Sequence, residues 1–125
     1  MKYKKLSNGL YRLDEIMVLS FADYDIVTKN NIVSSRFNLT DDSLIVYQGF
    51  KWDGASGPAI DDKTNIRASM FHDALYELIT LHNIPKRCRK GADQVLRDLS
   101  IEDGMCRFRA EYYYIGVRLF GGAHI

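Results

Sequence analysis

Asn65-Ile66-Arg67-Ala68-Ser69-Met70-Phe71-His72-Asp73-Ala74-Leu75-Tyr76-Glu77-Leu78-Ile79-Thr80-Leu81-His82 is the stretch where the hydrophobic period of this chain changes. Ala68, Phe71, His72, Leu75, Tyr76 and Ile79 recur at helical spacing, so they share one face of a helix. Asp61, Asp62 and Thr64 offer it a capped, dipole-compatible start. Upstream the period is two. Tyr3–Leu6 and Leu10–Leu13 flank Ser7-Asn8-Gly9, which reads as a hairpin with a type I′ turn. Ile16–Phe21, Tyr24–Val27, Val33–Leu39 and Ser43–Tyr47 extend the β pattern, and Leu39–Ser43 reads as a turn with Asx-type bonding. Between the two halves, residues 50–60 form a Gly/Pro-punctuated loop with the single Trp, Trp52.

Downstream, Pro85 restarts the chain into a second helix with Cys88, Ala92, Val95, Leu96 and Leu99 on its apolar face, ended by Gly104. A third helix spans about Met105–Phe120. It has two apolar stripes, Cys106/Ala110/Tyr113/Val117/Phe120 and Phe108/Tyr112/Ile115/Leu119. Two stripes predict a central, largely buried helix, stopped by Gly121-Gly122. The predicted class is α+β: one small N-terminal antiparallel sheet, then three helices. A single domain, 1–125, divides into a β-rich part (1–49), a loop (50–60) and a helical part (61–121).

The 125 residues suit one domain, able to bury roughly two-thirds of the unfolded surface without disulfide or metal staples. At 46% hydrophobic and 26% charged, the composition argues against disorder and coiled coil. A net charge of +1 removes the basic footprint of a dedicated nucleic-acid binder. No apolar run is long enough for a transmembrane segment, and Met1-Lys2-Tyr3-Lys4-Lys5 is not followed by the apolar core of a signal peptide. Two cysteines suit a reducing compartment, and both Cys88 and Cys106 read as buried and structural. Eight Tyr, six Phe and one Trp predict an aromatic-rich core.

The chemistry-bearing residues are His72, Asp73 and Tyr76 on the first helix and Asp93 on the second. His72 faces inward and needs a partner there. A carboxylate from Asp93 would fix one imidazole nitrogen and leave the other as a general base. Asp73 points toward another side; if the 50–60 loop packs there, Asp53 and backbone carbonyls join it in an oxygen-rich set of the kind calcium prefers. Each also has an ordinary structural reading: a core histidine, a solvated aspartate, a turn at Asp53-Gly54. Arg118 reads as the partner of a buried acid. Lys86-Arg87-Cys88-Arg89-Lys90 reads as a solvated turn or a contact for an anionic partner. Trp52 reads as a core anchor or the edge of a lipid-facing mouth.

His72-Asp73-Ala74-Leu75-Tyr76 resembles the His-Asp-x-x-Tyr helix of secreted phospholipase A2 enzymes, above all their prokaryotic branch. The segment Tyr112–Gly121 is similar to that branch's closing helix, so the resemblance covers about residues 50–121. It implies a phospholipase A2-like bundle, with His72 activating water, Asp93 orienting it, Tyr76 bracing Asp93, and calcium on Asp73, Asp53 and Gly54. The substrate implied is a phospholipid or another ester. A closer resemblance, over most of the chain, is to an uncharacterised bacteriophage and bacterial family. That family is marked by the loop seen here as Asp53-Gly54-Ala55-Ser56-Gly57-Pro58, a His-Asp-x-Leu-Tyr helix and a Val-Arg-x-Phe-Gly ending. It implies the bacterial host cytoplasm or the virion as location. It brings no known activity with it. The extra β half and the missing Cys-rich calcium loop support a second functional reading, a non-enzymatic tail or baseplate component or an inhibitor of a host protein, with a phage or host protein as partner. Departures from the phospholipase pattern are the absence of a Cys beside the His-Asp motif, the absence of a Cys-rich calcium loop, and the added β half. His72 is the first histidine of the chain, which removes the metal phosphohydrolases that share a His-Asp dipeptide but need an upstream His. No HExxH, CxxC, P-loop or GxGxxG motif is present.

Overall fold

The computed structural model describes residues 1–54 and 62–124. Most of the Asp-Gly-Ala-Ser-Gly-Pro loop, from Ala55 on, and Asp61 lie outside the described residues. Among the described residues, seven short strands precede three helices, an α+β arrangement. The strands are β1 (Tyr3–Lys5), β2 (Tyr11–Leu13), β3 (Met17–Ser20), β4 (Ile32–Val33), β5 (Phe37–Leu39), β6 (Ser43–Val46) and β7 (Lys51–Trp52). They form two antiparallel sheets rather than the single sheet expected, in orders β1-β2-β7 and β3-β6-β5-β4. The helices are α1 (Ile66–Thr80), α2 (Arg89–Glu102) and α3 (Arg107–Phe120). A 3-10 turn, Lys86–Cys88, leads into α2, and another, Gly121–His124, follows α3.

The first hairpin forms, with a different turn from the one expected. Only Gly9 takes a positive φ, +86°. Its N–H donates to Leu6 O at 3.1 Å, and Leu6 N–H donates to Leu10 O at 2.7 Å. That is a three-residue loop with a left-handed glycine instead of a two-residue type I′ turn. Asn8 helps by accepting Leu10 N–H on Oδ1 at 3.0 Å. The Thr40–Ser43 turn forms too, closed by Thr40 N–H to Ser43 O at 3.0 Å, with the two hydroxyls 2.7 Å apart. Val33–Leu39 is a second hairpin, not one strand: Ile32 pairs with Leu39 across it, and Ser34 Oγ accepts the Phe37 N–H at its turn. β7 falls in the stretch expected to be loop, because its pairing with β2 joins segments far apart in sequence.

Tyr24–Val27 is no strand. It lies over α2, where Tyr24 Oη donates to Asp98 at 2.8 Å and Ile26 and the Asp25 carbonyl sit on Gly91. A Cβ at Gly91 would meet Ile26 Cγ1 at 2.7 Å and Asp25 O at 2.8 Å. One of those atoms is backbone and cannot swing away. Gly91→Ala is therefore expected to cost about 1–3 kcal/mol by overpacking, read as a drop of several degrees in Tm.

One core cluster runs through both halves: Leu13, Phe37 and Leu44 from the strands and Phe50 just before β7 meet Phe71, Leu75 and Leu78 from α1 and Val95 from α2. α1 is buried nearly all round, packing on α2 and against β7. Trp52 anchors that junction. It is buried, stacks on Tyr11 and Phe50, and donates Nε1–H to Ser69 Oγ at 3.1 Å. The apolar face expected of α2 is buried as a set.

α3 corrects the sequence reading. Ala110 is its one buried residue, and Tyr113 and Val117 of the same stripe are half-buried. The other stripe is open: Phe108 is 85% exposed and Leu119 70%, with Tyr112 and Ile115 also exposed. Hydrophobic spacing marks a stripe without saying what covers it, so a peripheral helix can carry the pattern of a central one. Cys106, at the start of this helix, is likewise exposed, whereas Cys88 is buried as expected. Gly121 does not stop α3 by a left-handed turn; its φ is −64°. Its role is close approach, since a Cβ there would lie 2.7 Å from Tyr76 Oη.

Candidate functional site

His72 and Asp93 meet because α1 and α2 pack face to face. His72 Nε2 lies 2.7 Å from Asp93 Oδ1 in a buried pair. Tyr76, one turn beyond His72, donates its hydroxyl to the same oxygen at 2.5 Å. Oδ2 faces α3 and accepts from Arg118 Nη1 at 2.8 Å. Asp93 itself has no exposed surface. Arg118 thus finds the buried acid expected for it.

Burial alone would push the Asp93 carboxyl up. Bonds from His72, Tyr76 and Arg118 outweigh that and hold it below the ordinary value of 3.8. Burial first, and then the bond to Asp93, push the Tyr76 hydroxyl up, so it stays protonated. With an ionised carboxylate on Nε2, the neutral imidazole carries its proton there. The Nδ1 lone pair is then left over, 4.0 Å from Asp73 Oδ1.

A group depressed in the folded state contributes stability above its unfolded value, which is lost as pH falls through the folded value. Folding stability is therefore expected to drop once pH falls below about 3.8. Urea midpoints taken from pH 7 downward should show the drop, and Asp93→Asn should flatten it.

Sequence reasoning missed Arg89. It is the first residue of α2, and its guanidinium turns inward from the basic run. Nη1 donates to Val117 O at 3.0 Å and Nη2 to Arg118 O at 3.1 Å, satisfying carbonyls at the end of α3. Nη1 also reaches Tyr76 Oη at 3.3 Å and lies 3.7 Å from Asp93 Oδ2. The available cue was its spacing, i to i+4 from Asp93 on one helix. Together, Arg89 and Arg118 fasten α3 to the His72–Asp93 centre through ion pairs and carbonyl bonds.

His72 also borders a cavity of about 700 Å³. Asp53, Gly54, Asp73 and Tyr76 border the same cavity. Gly54 is buried with φ +81°, and Asp53 is exposed. Trp52 is both the core anchor and part of this wall. α3 adds apolar lining: Tyr112, Ile115, Leu119 and Phe120. Calcium takes six to eight oxygens. Among the described residues no three His, Cys, Asp or Glu side chains stand together as metal ligands. The described donors alone do not amount to a calcium cage.

Residues 31–117 match the family described as protein of unknown function (DUF1353). The chain belongs to that family. The matched region runs from just before β4 into α3, so it contains His72, Asp73, Tyr76, Arg89 and Asp93. β1–β3 and Arg118 fall outside it. No curated protein and no solved structure matches the chain. Among the described residues no helix is long and apolar enough to cross a membrane.

Proposed function

We propose that this protein is a hydrolase of lipid esters resembling the prokaryotic phospholipases A2, with His72 as general base. The observation that carries the reading is the His72–Asp93 pair, 2.7 Å apart, with His72 lining a cavity to which α3 adds apolar side chains. Asp93 holds His72 by Nε2, and Nδ1 accepts a proton from a water as that water's oxygen attacks the ester carbonyl. The imidazolium so formed is stabilised by Asp93, and it returns the proton to the departing alkoxide, giving acid and alcohol. Tyr76 and Arg118 occupy further acceptor positions of Asp93, which keeps the carboxylate ionised and fixed in rotation. The α3 wall offers an acyl chain a surface to lie on. Calcium enters the proposal as an occupant sought by experiment, near Asp73, Asp53 and Gly54, and no step above passes through it.

The test is fatty-acid release from vesicles of phosphatidylcholine and of phosphatidylglycerol, each with calcium and with excess chelator. Release in either lipid supports the hydrolase, and the chelator arm decides the metal. No release from either lipid, and none from simple water-soluble esters, would sink the reading. A second reading, a non-enzymatic phage component or host-protein inhibitor, is favoured by the uncovered stripe of α3. It predicts that null result together with capture of a protein partner that Phe108→Asp/Leu119→Asp abolishes.

A further inference from the structure

We propose that a second cavity, separate from the one at His72, binds a phosphorylated small organic molecule. It lies where α1 ends and the chain turns into α2, has a volume of about 530 Å³, and shares no lining residue with the first. Lys29, His82, Lys86 and Arg87 border it, and no acidic side chain does. Elsewhere in this molecule arginines are matched to carboxylates: Arg12 with Asp14, Arg36 with Glu77, Arg67 with Asp103 and Arg109 with Asp62. At this cavity the four basic side chains make no ion pair or side-chain hydrogen bond among the described residues. No acid in the first turn of α2 offsets them. Unneutralised cations bordering one concavity repel one another and raise the local concentration of anions.

The backbone of His82 supplies an independent observation. α1 closes with a Schellman motif: Asn83 N–H donates to Leu78 O at 3.0 Å and His82 N–H to Ile79 O at 3.0 Å. That places His82 at the left-handed position, φ +65°, where glycine is the usual residue. It is the one non-glycine residue with positive φ among those described. An imidazole is thus held at a backbone position that resists a side chain, and it faces the cationic cavity. Val27, Thr28, Ile84 and Pro85 complete the lining, three of them apolar. Cations and hydrocarbon bordering the same concavity fit a phosphate that carries an organic group better than bare phosphate.

The test is calorimetric titration of the full chain with phenyl phosphate, inorganic phosphate and phenol. Phenyl phosphate is expected to bind saturably, at least tenfold more tightly than either of the others, and more weakly as salt rises. Lys86→Glu/Arg87→Glu, on exposed residues, should weaken binding at least tenfold with Tm unchanged. His82→Gly is the discriminating variant. It relieves the left-handed strain, so Tm should hold or rise, while phenyl phosphate binding falls severalfold. Absence of saturable phenyl phosphate binding, or binding that both variants leave intact, overturns the proposal. Capture by phosphatidylglycerol vesicles without phenyl phosphate binding also overturns it, in favour of a lipid headgroup.

Discussion

Asp93→Ala is expected to lower folding stability by about 3 kcal/mol, because removing one partner of a buried ion pair strands the other. Asp93 has no exposed surface, yet it accepts from His72, Tyr76 and Arg118 on three sides. Truncation leaves the half-buried Tyr76 hydroxyl and the buried His72 imidazole without their acceptor, and a guanidinium without its counter-charge. The cost falls at the low end of the about 3–5 kcal/mol range for such losses, because the Arg118 side chain is 31% exposed and can recover water. For a domain of this size that corresponds to a Tm lower by about 10 °C. α3 should loosen first. Its grip on the rest is polar, through Arg118 to Asp93 and Arg89 to its last carbonyls, while Ala110 is its one buried residue. Amide exchange in α3 should therefore accelerate more than in α1, whose apolar packing is untouched. Equal acceleration in both helices, or a Tm within two degrees of wild type, would contradict this account of the centre.

The helical half was readable because its signals are local. The period of α1 put His72 inward, the 21-residue step to Asp93 put a carboxylate on the next helix, and the face of α2 followed from spacing. Three things were not readable in that way. The count of strands and sheets depends on pairings such as β2 with β7, which no local window contains. The burial of α3 depends on whether another element lies over Phe108 and Leu119, and none of the described ones does. Arg89 looked like one charge of a solvated run, and only the arrival of the α3 C-terminus beside it gives it a buried task.

The second large effect concerns His72, where activity and stability should part company. General-base catalysis is worth about 10²–10⁴ in rate. His72→Gln removes the basic nitrogen, while the amide N–H can still donate to Asp93 across the same gap. Tm should therefore stay close to wild type, and hydrolysis should fall by about a hundredfold or more. His72→Ala should lose as much activity and also some stability, since it leaves Asp93 one donor short and a small cavity behind. Asp93→Asn belongs in the same series. It keeps the shape of the side chain but presents an amide to two donors on one side and a guanidinium on the other.

The most direct measurement is the initial rate of fatty-acid release from phospholipid vesicles by wild type and by His72→Gln, matched for folded concentration by their melting curves. The account predicts release by wild type and a loss of at least a hundredfold in the variant, with both proteins folded. Equal rates in the two proteins would show that the His72–Asp93 pair is a structural hydrogen bond and that the hydrolysis, if any, is carried out elsewhere.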